Sequence, residues 1–356
     1  MFAYDAGLAI DLDQSERRIT AATARAGIPH KHRTPRYFEF RPAPLRVRLG
    51  IEPIAVGIFE TYHYVEAVLF DFGAVSVTYQ IALSGPLTDL IALSEQLYDD
   101  ARLRADSRRH VERLLETVAP AVMRAGLAEA VEPYTVFEIN AFAPACNPRA
   151  LFTTHAHDVA RILRSEHGPL SDEEVADAVA QRISFGPGDV AIIDWDATLI
   201  AGDDAEDVRA VLEFANVELL EMRHLDQQLD DALDESYETL SRRGSRFGFG
   251  RSARADLRRI GQLQVDNALL FEGVNNALKL LGDQYLARVY RITSARFHLE
   301  EWDASILRKL QTLDSIYQKL ADQATNRRTE LLEWIIIVLI AIELVLPLVV
   351  HMTGER

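Results

Sequence analysis

The chain holds one cysteine, Cys146, in 356 residues. That excludes an intrachain disulfide and a multi-cysteine metal site, and it fits a reducing compartment without requiring one. The opening residues, MFAYDAGLAIDLDQSERR, lack a basic start followed by an apolar run, and Asp5, Asp11 and Asp13 argue against a secretory or organellar presequence. There is no internal repeat and no long low-complexity segment. Positive charge is scarce: 38 Lys and Arg face 54 Asp and Glu, a net −16. Such a surface does not coat nucleic acid, DNA included, or anionic lipid over its whole extent, although local basic patches stay open. With 48% hydrophobic residues the chain has material for a real core and room for two domains.

What is present in one unbroken piece is the run LLEWIIIVLIAIELVLPLVV, Leu331 to Val350, with no Lys or Arg. Twenty residues at about 1.5 Å each reach about 30 Å, one hydrocarbon core, so the run reads as a transmembrane helix. A buried core helix is the other reading, but Ile335 to Ile342 is apolar on every face, where a soluble helix shows a polar stripe. The expected protein is a single-pass, tail-anchored membrane protein with a short tail, 351–356. Arg327 and Arg328 lie just before the run, and the positive-inside rule places them and the bulk of the chain in the cytoplasm. Glu333 and Trp334 fall at the expected membrane boundary. Glu343 lies near the middle, where a carboxylate is either tolerated or hydrogen-bonded between helices of an oligomer; Pro347 follows one turn later.

Taken in order, 1–36 reads as a leader with a short basic helix from Ser15 to Ala26. Residues 37–201 read as an α+β domain. Its strand signals are YFEF, LRVRLG, AVGIFETYHYVEAVLFDFGAVSVTYQIAL and Tyr134 to Phe142. Helical stretches lie at Leu87 to Arg124, at Phe152 to Arg164 and after the Ser171/Glu174 capping box. Gly186, Pro187 and Gly188 turn into DVAIIDWDATLIA, a buried strand or tight hairpin. Residues 202–330 read as a helical stalk: a helix capped by Asp203 or Asp204 runs to about Arg242, a second helical segment covers Asp256 to Thr293, and a third begins near Ser294. In that segment Ile306, Leu310, Leu313, Tyr317, Leu320 and Ala324 alternate at four and three, a heptad seam. The seam needs a partner, with the Asp203 to Arg242 helix of the same chain favoured over a second subunit. Without Gly or Pro between them, seam and apolar run read as one continuous helix. The fold class is therefore an α+β head, long antiparallel coiled-coil-like helices, and one C-terminal transmembrane helix.

Two constellations bear chemistry. RRGSRFGFGRSARADLRR crowds Arg242, Arg243, Arg246, Arg251, Arg254, Arg258 and Arg259 with Phe247, Phe249 and three glycines. It reads either as a solvated linker or as a contact for RNA or anionic lipid, since Arg pairs phosphates and Phe stacks. VAIIDWDATLI has the strand-then-DxDxT form of aspartate-nucleophile phosphohydrolases, in which Asp194 attacks phosphorus, Asp196 serves as acid/base, and both help hold Mg. That chemistry needs a downstream Lys, and the only ones are Lys279, Lys309 and Lys319, all in stalk-like helices. The competing reading is a structural strand ending in capping acids. His155 and His157 in THAHD sit about 200° apart on a helix, the wrong spacing for a shared metal. FDFG at Phe70 to Gly73 lacks the companion loops of a kinase.

Four stretches carry a family resemblance: LFDFGAVSVTY from Leu69; VAIIDWDATLI followed by VLEFANVELLEMRHLDQQLD from Val211; YLARVYRITSARFHLEEWDASILRKLQTLDSIY from Tyr285; and RRTELLEWIIIVLIAIE from Arg327. In this order they resemble the YagE-like/RMD family, a domain of unknown function with fungal meiotic-nuclear-division proteins and a mitochondrial inner-membrane relative. Asp196 stands where the resemblance leads one to expect Asn. The resemblance implies a tail-anchored, self-associating protein and, through the mitochondrial relative, a link to translation machinery such as the ribosome; it implies no catalytic residues. The leading expectation is thus a non-enzymatic, membrane-anchored scaffold without a cofactor. The second is a membrane-tethered, Mg-dependent phosphohydrolase or nucleotide-binding enzyme using Asp194 and Asp196.

Overall fold

The structure is a computed structural model. It describes residues 1–26, 43–143, 146–202, 205–242, 258–259, 261–263, 265–266, 268, 284–316, 318, 333 and 335–340. Its contacts divide the chain into two compact units, the first formed by Met1–Asp226 and Asp266–Ala304, the second by Gln227–Val265 and Ser305–Arg356.

In the first unit, alternating β-branched and aromatic residues make two sheets. The larger has the order β3 (Leu45–Gly50), β5 (Phe59–Leu69), β6 (Ala74–Ile81), β1 (Phe2–Asp5), β8 (Glu132–Pro133), with the short β4 (Ala55–Val56) also on β5. Every pairing in it is antiparallel. Phe2–Asp5, expected in the leader, thus supply an inner strand, because Phe2, Ala3 and Tyr4 are apolar enough to be buried there. Gly73 closes the β5–β6 hairpin at φ +106°, and a Cβ there would lie 1.8 Å from the Gly7 carbonyl oxygen. A small ladder joins β2 (Ala9–Ile10) to β7 (Val122–Met123).

The second sheet has the order β10 (Arg182–Ile183), β11 (Val190–Ile193), β12 (Ala197–Ala201), β9 (Thr135–Ile139). β11 and β12 form the expected tight hairpin, both wholly buried, and β12 runs parallel to β9. Only Tyr134 separates β8 in one sheet from β9 in the other. Helices α1 (Leu12–Ala26), α2 (Asp89–Tyr98), α3 (Ala101–Val118), α4 (Ala156–Leu163) and α5 (Asp172–Ala178) complete this part. The single helix expected over Leu87 to Arg124 is split at Asp99–Asp100, where Asp100 accepts hydrogen bonds from the amides of Arg102 and Leu103 and starts a new helix. Ser171 caps α5 by accepting from the Glu174 amide at 3.2 Å.

The helix α6 (Ala205–Arg242) is the spine: residues 211–220 are buried on every face. The chain returns to this unit through α7 (Gln284–Arg296), which packs on β10 and β11. The helix expected to be continuous from Ser294 breaks at Phe297 and His298, the latter at φ +55°, and α8 (residues 299–316) restarts beyond them.

In the second unit, the part of the heptad seam that is described, Ile306, Leu310 and Leu313, is buried, as are Leu229 and Ala232 of α6. Lys309 pairs with Asp230 at 2.6 Å, so the favoured in-chain helix does face the seam. Tyr317, Leu320 and Ala324 lie outside the described residues.

The membrane expectation is corrected. Among the described residues no helix is long and apolar enough to cross a membrane, which removes the support for a C-terminal transmembrane helix and for a single-pass anchor as the protein's location. Within 331–350 the described residues are Glu333, which is exposed, and Ile335–Ile340, which are helical. Trp334, Glu343, Arg327 and Arg328 lie outside the described residues.

Candidate functional site

The turn between β11 and β12 consists of Asp194, Trp195 and Asp196. The Asp194 amide donates to the Ala197 carbonyl at 2.9 Å, closing the turn, and the Thr135 amide donates to the Asp196 carbonyl at 3.0 Å, tying it to β9. The Asp194 side chain, 0% exposed, points inward. Its Oδ1 accepts from the Trp195 amide at 2.9 Å and from Arg296 Nε at 2.8 Å, with Arg296 Nη2 also bonded to it. Its Oδ2 accepts from Arg164 Nε at 3.1 Å. Arg164 ends α4 and Arg296 ends α7. Asp177, from α5, bridges the two guanidiniums: Oδ2 accepts from Arg164 Nη2 at 2.5 Å and from Arg296 Nη2 at 2.8 Å. Glu174 also pairs with Arg164. Two guanidiniums thus meet three carboxylates where three helices converge on one turn.

The electrostatics follow. The Arg296 hydrogen bond, against a smaller burial effect, holds the Asp177 carboxyl below the usual range, and Arg164 adds to it. For Arg296 burial acts to lower the pKa, but the bonds to Asp177 and Asp194 outweigh it and raise it. Tyr134 donates toward the Asp194 carbonyl (2.9 Å) and shares a 2.6 Å hydrogen bond with Thr198 Oγ1; burial pushes its phenol up. Asp196 is pushed up by burial and then by the Asp194 charge. Burial likewise raises Glu132, which the guanidinium of Arg223 partly offsets through bonds of 2.7 and 2.9 Å.

Above this cluster Trp195 stays 49% exposed. Arg296 lies 5.2 Å from its ring centroid and the His298 ring 5.1 Å away, so the indole is flanked by a guanidinium and an imidazole. At the other end of α7, the exposed Phe185 meets Tyr285 edge to face at 5.4 Å. Together these contacts leave aromatic rings facing solvent at both ends of α7.

An aspartate nucleophile needs an open approach and oxygens free for metal and phosphorus. Asp194 has neither, since both oxygens already accept from cationic donors that would repel a divalent ion. Asp196, two residues on, is exposed while Asp194 is fully buried. The residues present therefore do not fit Mg, and among the described residues no group of three or more His, Cys, Asp or Glu could hold a metal ion. His157 pairs loosely with Asp172 at 3.8 Å, and Cys146 is exposed. Of the arginine segment, Arg242 is the last residue of α6 and Arg258 and Arg259 are exposed; Arg243, Arg246, Arg251 and Arg254 lie outside the described residues.

Sequence reading did not single out Arg164, Asp177, Arg296 or Tyr134. One signal was there: in α7 Leu286, Val289, Tyr290, Thr293 and Arg296 recur at helical spacing and are all buried, so an arginine sits on an apolar stripe and requires a buried acid.

No solved structure matches the chain. A protein of Methanocaldococcus jannaschii, "Uncharacterized protein MJ0711", is 24% identical over 268 residues, 74% of each chain. These similarities support an uncharacterised family and not the YagE-like/RMD name. The profile described as "Uncharacterized protein MJ0711, N-terminal domain" matches residues 1–207, more than half of the 356, and the chain belongs to that family.

Proposed function

We propose that the protein is a non-catalytic, self-associating scaffold whose first unit presents an aromatic face to a partner. The observation that carries the reading is the state of Asp194: the one residue whose sequence context suggested a nucleophile has no exposure, and its carboxylate is consumed by Arg164 and Arg296. A group held this way serves architecture, and what it holds outward is Trp195.

Self-association is supported by Ile335–Ile340, a helical stretch whose six apolar side chains are each 50–59% exposed. In water such a stretch gains about 25 cal/mol for each Å² covered, and a second copy supplies a matching apolar surface. The YagE-like/RMD resemblance supports self-association too, and it names translation machinery as the partner class. The arginine segment supports RNA as the component touched, because Arg forks pair phosphates.

The reading is tested on the full chain. Light scattering after size exclusion should give a species larger than one copy, reduced by Ile337→Glu with Leu339→Glu. A phosphatase-substrate screen with Mg should give no turnover. Mg-dependent turnover abolished by a folded Asp194→Asn protein would overturn the non-catalytic part, and a monomeric wild type would overturn the self-associating part. Retention of ribosomal RNA by the wild type, lost with Arg246, Arg251 and Arg254 changed to Ala, is the expected result for the partner; equal retention removes that assignment.

A further inference from the structure

Within the all-round buried stretch of α6, Glu218 is 2% exposed, and its Oε2 accepts a hydrogen bond from the Tyr290 hydroxyl of α7 at 2.6 Å. Asp303, near the start of α8, faces the same carboxyl, and its Oδ1 is buried without a hydrogen-bond partner. Glu300 and Ser294 act on the Tyr290 hydroxyl. One turn along α6, Glu221 is buried beside Asp5 with its Oε1 unpartnered. The bases on this part of α6 are engaged elsewhere: His224 pairs with Asp5 at 2.9 Å and Arg223 with Glu132. Among the described residues no cation is paired with Glu218 or Asp303. A buried acid that has no base beside it and a second, half-buried acid nearby is stable only while it keeps its proton.

We propose that Glu218, Tyr290 and Asp303 form a proton-held latch that keeps α7 and the start of α8 closed on α6, and that loss of the Glu218 proton lets α7 open. Burial, opposed by the Tyr290 bond and reinforced by Asp303, pushes Glu218 up to about 7 from an ordinary 4.5. A raised acid stabilises the closed form fully below its ordinary pKa, and that stability is lost as pH rises through the folded value. The latch therefore holds fully in acid below about pH 4.5, loosens as pH rises from there, and is released just above neutrality. Opening has a specific consequence, because α7 carries Arg296: its departure would strip a guanidinium from buried Asp194 and from beneath Trp195. The aromatic face is thereby placed under proton control, whichever partner it meets.

Hydrogen exchange of the full chain, followed by mass spectrometry at pH 6 and pH 8 and corrected for intrinsic rates, tests this. From the two pKa values the opening constant of α7 should rise roughly tenfold over that interval. Glu218→Gln should flatten the rise, Asp303→Asn should shrink it and bring its plateau to lower pH, and Glu221→Gln should leave it intact. A wild type with unchanged α7 protection would overturn the latch, as would a rise that survives Glu218→Gln or moves only with Glu221→Gln. If Glu218→Gln does not fold, the Asp303→Asn profile decides, and one identical to wild type sinks the proposal.

Discussion

Arg296 and Asp194 lie 102 residues apart in the chain and meet with Nε and Oδ1 2.8 Å apart, where the aspartate has no contact with solvent. The pair fixes the end of α7 to the β11–β12 turn, and Asp177 and Arg164 extend it to α5 and α4. Three helices and a hairpin are therefore registered by one cluster built on Asp194 and Asp177. Such a group is expensive to break from one side.

Replacing Arg296 by Leu leaves Asp194 buried with its main partner gone. The expected loss is about 3–5 kcal/mol, the scale for an uncompensated buried charge. Denaturant unfolding of the variant measures it. Asp194→Asn combined with Arg296→Gln should cost less than the two single changes summed, because the double variant leaves no stranded charge. Strict additivity would mean that the two side chains do not couple.

Tyr134 tests how tightly the turn is held from below. Its hydroxyl serves both the Asp194 carbonyl and Thr198, and Phe removes those bonds without changing shape. The expected cost is about 1–2 kcal/mol with an unchanged denaturant slope. A neutral Tyr134→Phe would show that water replaces the hydroxyl.

Asp177 sets an acid limit. Its carboxyl is held below the usual range chiefly by the Arg296 bond, so the stability it contributes is present above its ordinary value of 3.8 and is lost as pH falls through the depressed one. Acid unfolding followed by circular dichroism should therefore be shallower in Asp177→Asn below about pH 4 than in wild type. Parallel acid profiles would exclude Asp177 as a contributor. This limb and the loosening ascribed to Glu218 as pH rises toward 7 act in opposite directions on the stable range.

Gly73→Ala should destabilise by more than about 1 kcal/mol, since the position has φ +106° and the added Cβ would collide with the Gly7 carbonyl. The clash is with backbone, which cannot swing aside. A thermal midpoint equal to wild type would contradict this close approach.

Local signals carried a good part of this fold. The turn signal Gly186–Pro187–Gly188 before VAIIDWDATLIA pointed to a buried strand or tight hairpin, Ser171 capped its helix, and the Ile306–Leu310–Leu313 spacing marked a buried seam. These are properties of neighbours a few residues apart. What sequence reading missed depends on chain separation. Phe2–Asp5 looked like a leader because its partners β6 and β8 lie about seventy and a hundred and thirty residues away. Asp194 looked like a nucleophile because Arg164 and Arg296 are invisible from the motif. The apolar run at 331–350 was read by length and hydropathy alone, and no helix among the described residues meets that requirement.

The order in which the first unit receives its parts has a consequence for its birth. Residues 1–226 leave the synthetic machinery well before α7, because the chain first makes the excursion through 227–265. At about 5–20 residues per second, the 102 residues between Asp194 and Arg296 take about 5–20 s. For that interval the nascent unit has its hairpin but not the guanidinium that completes it, and the β10–β11 surface meant for α7 is bare. A stall or truncation before Arg296 would thus release a chain with a charged, unfinished core, the kind of species that chaperones and proteases recognise.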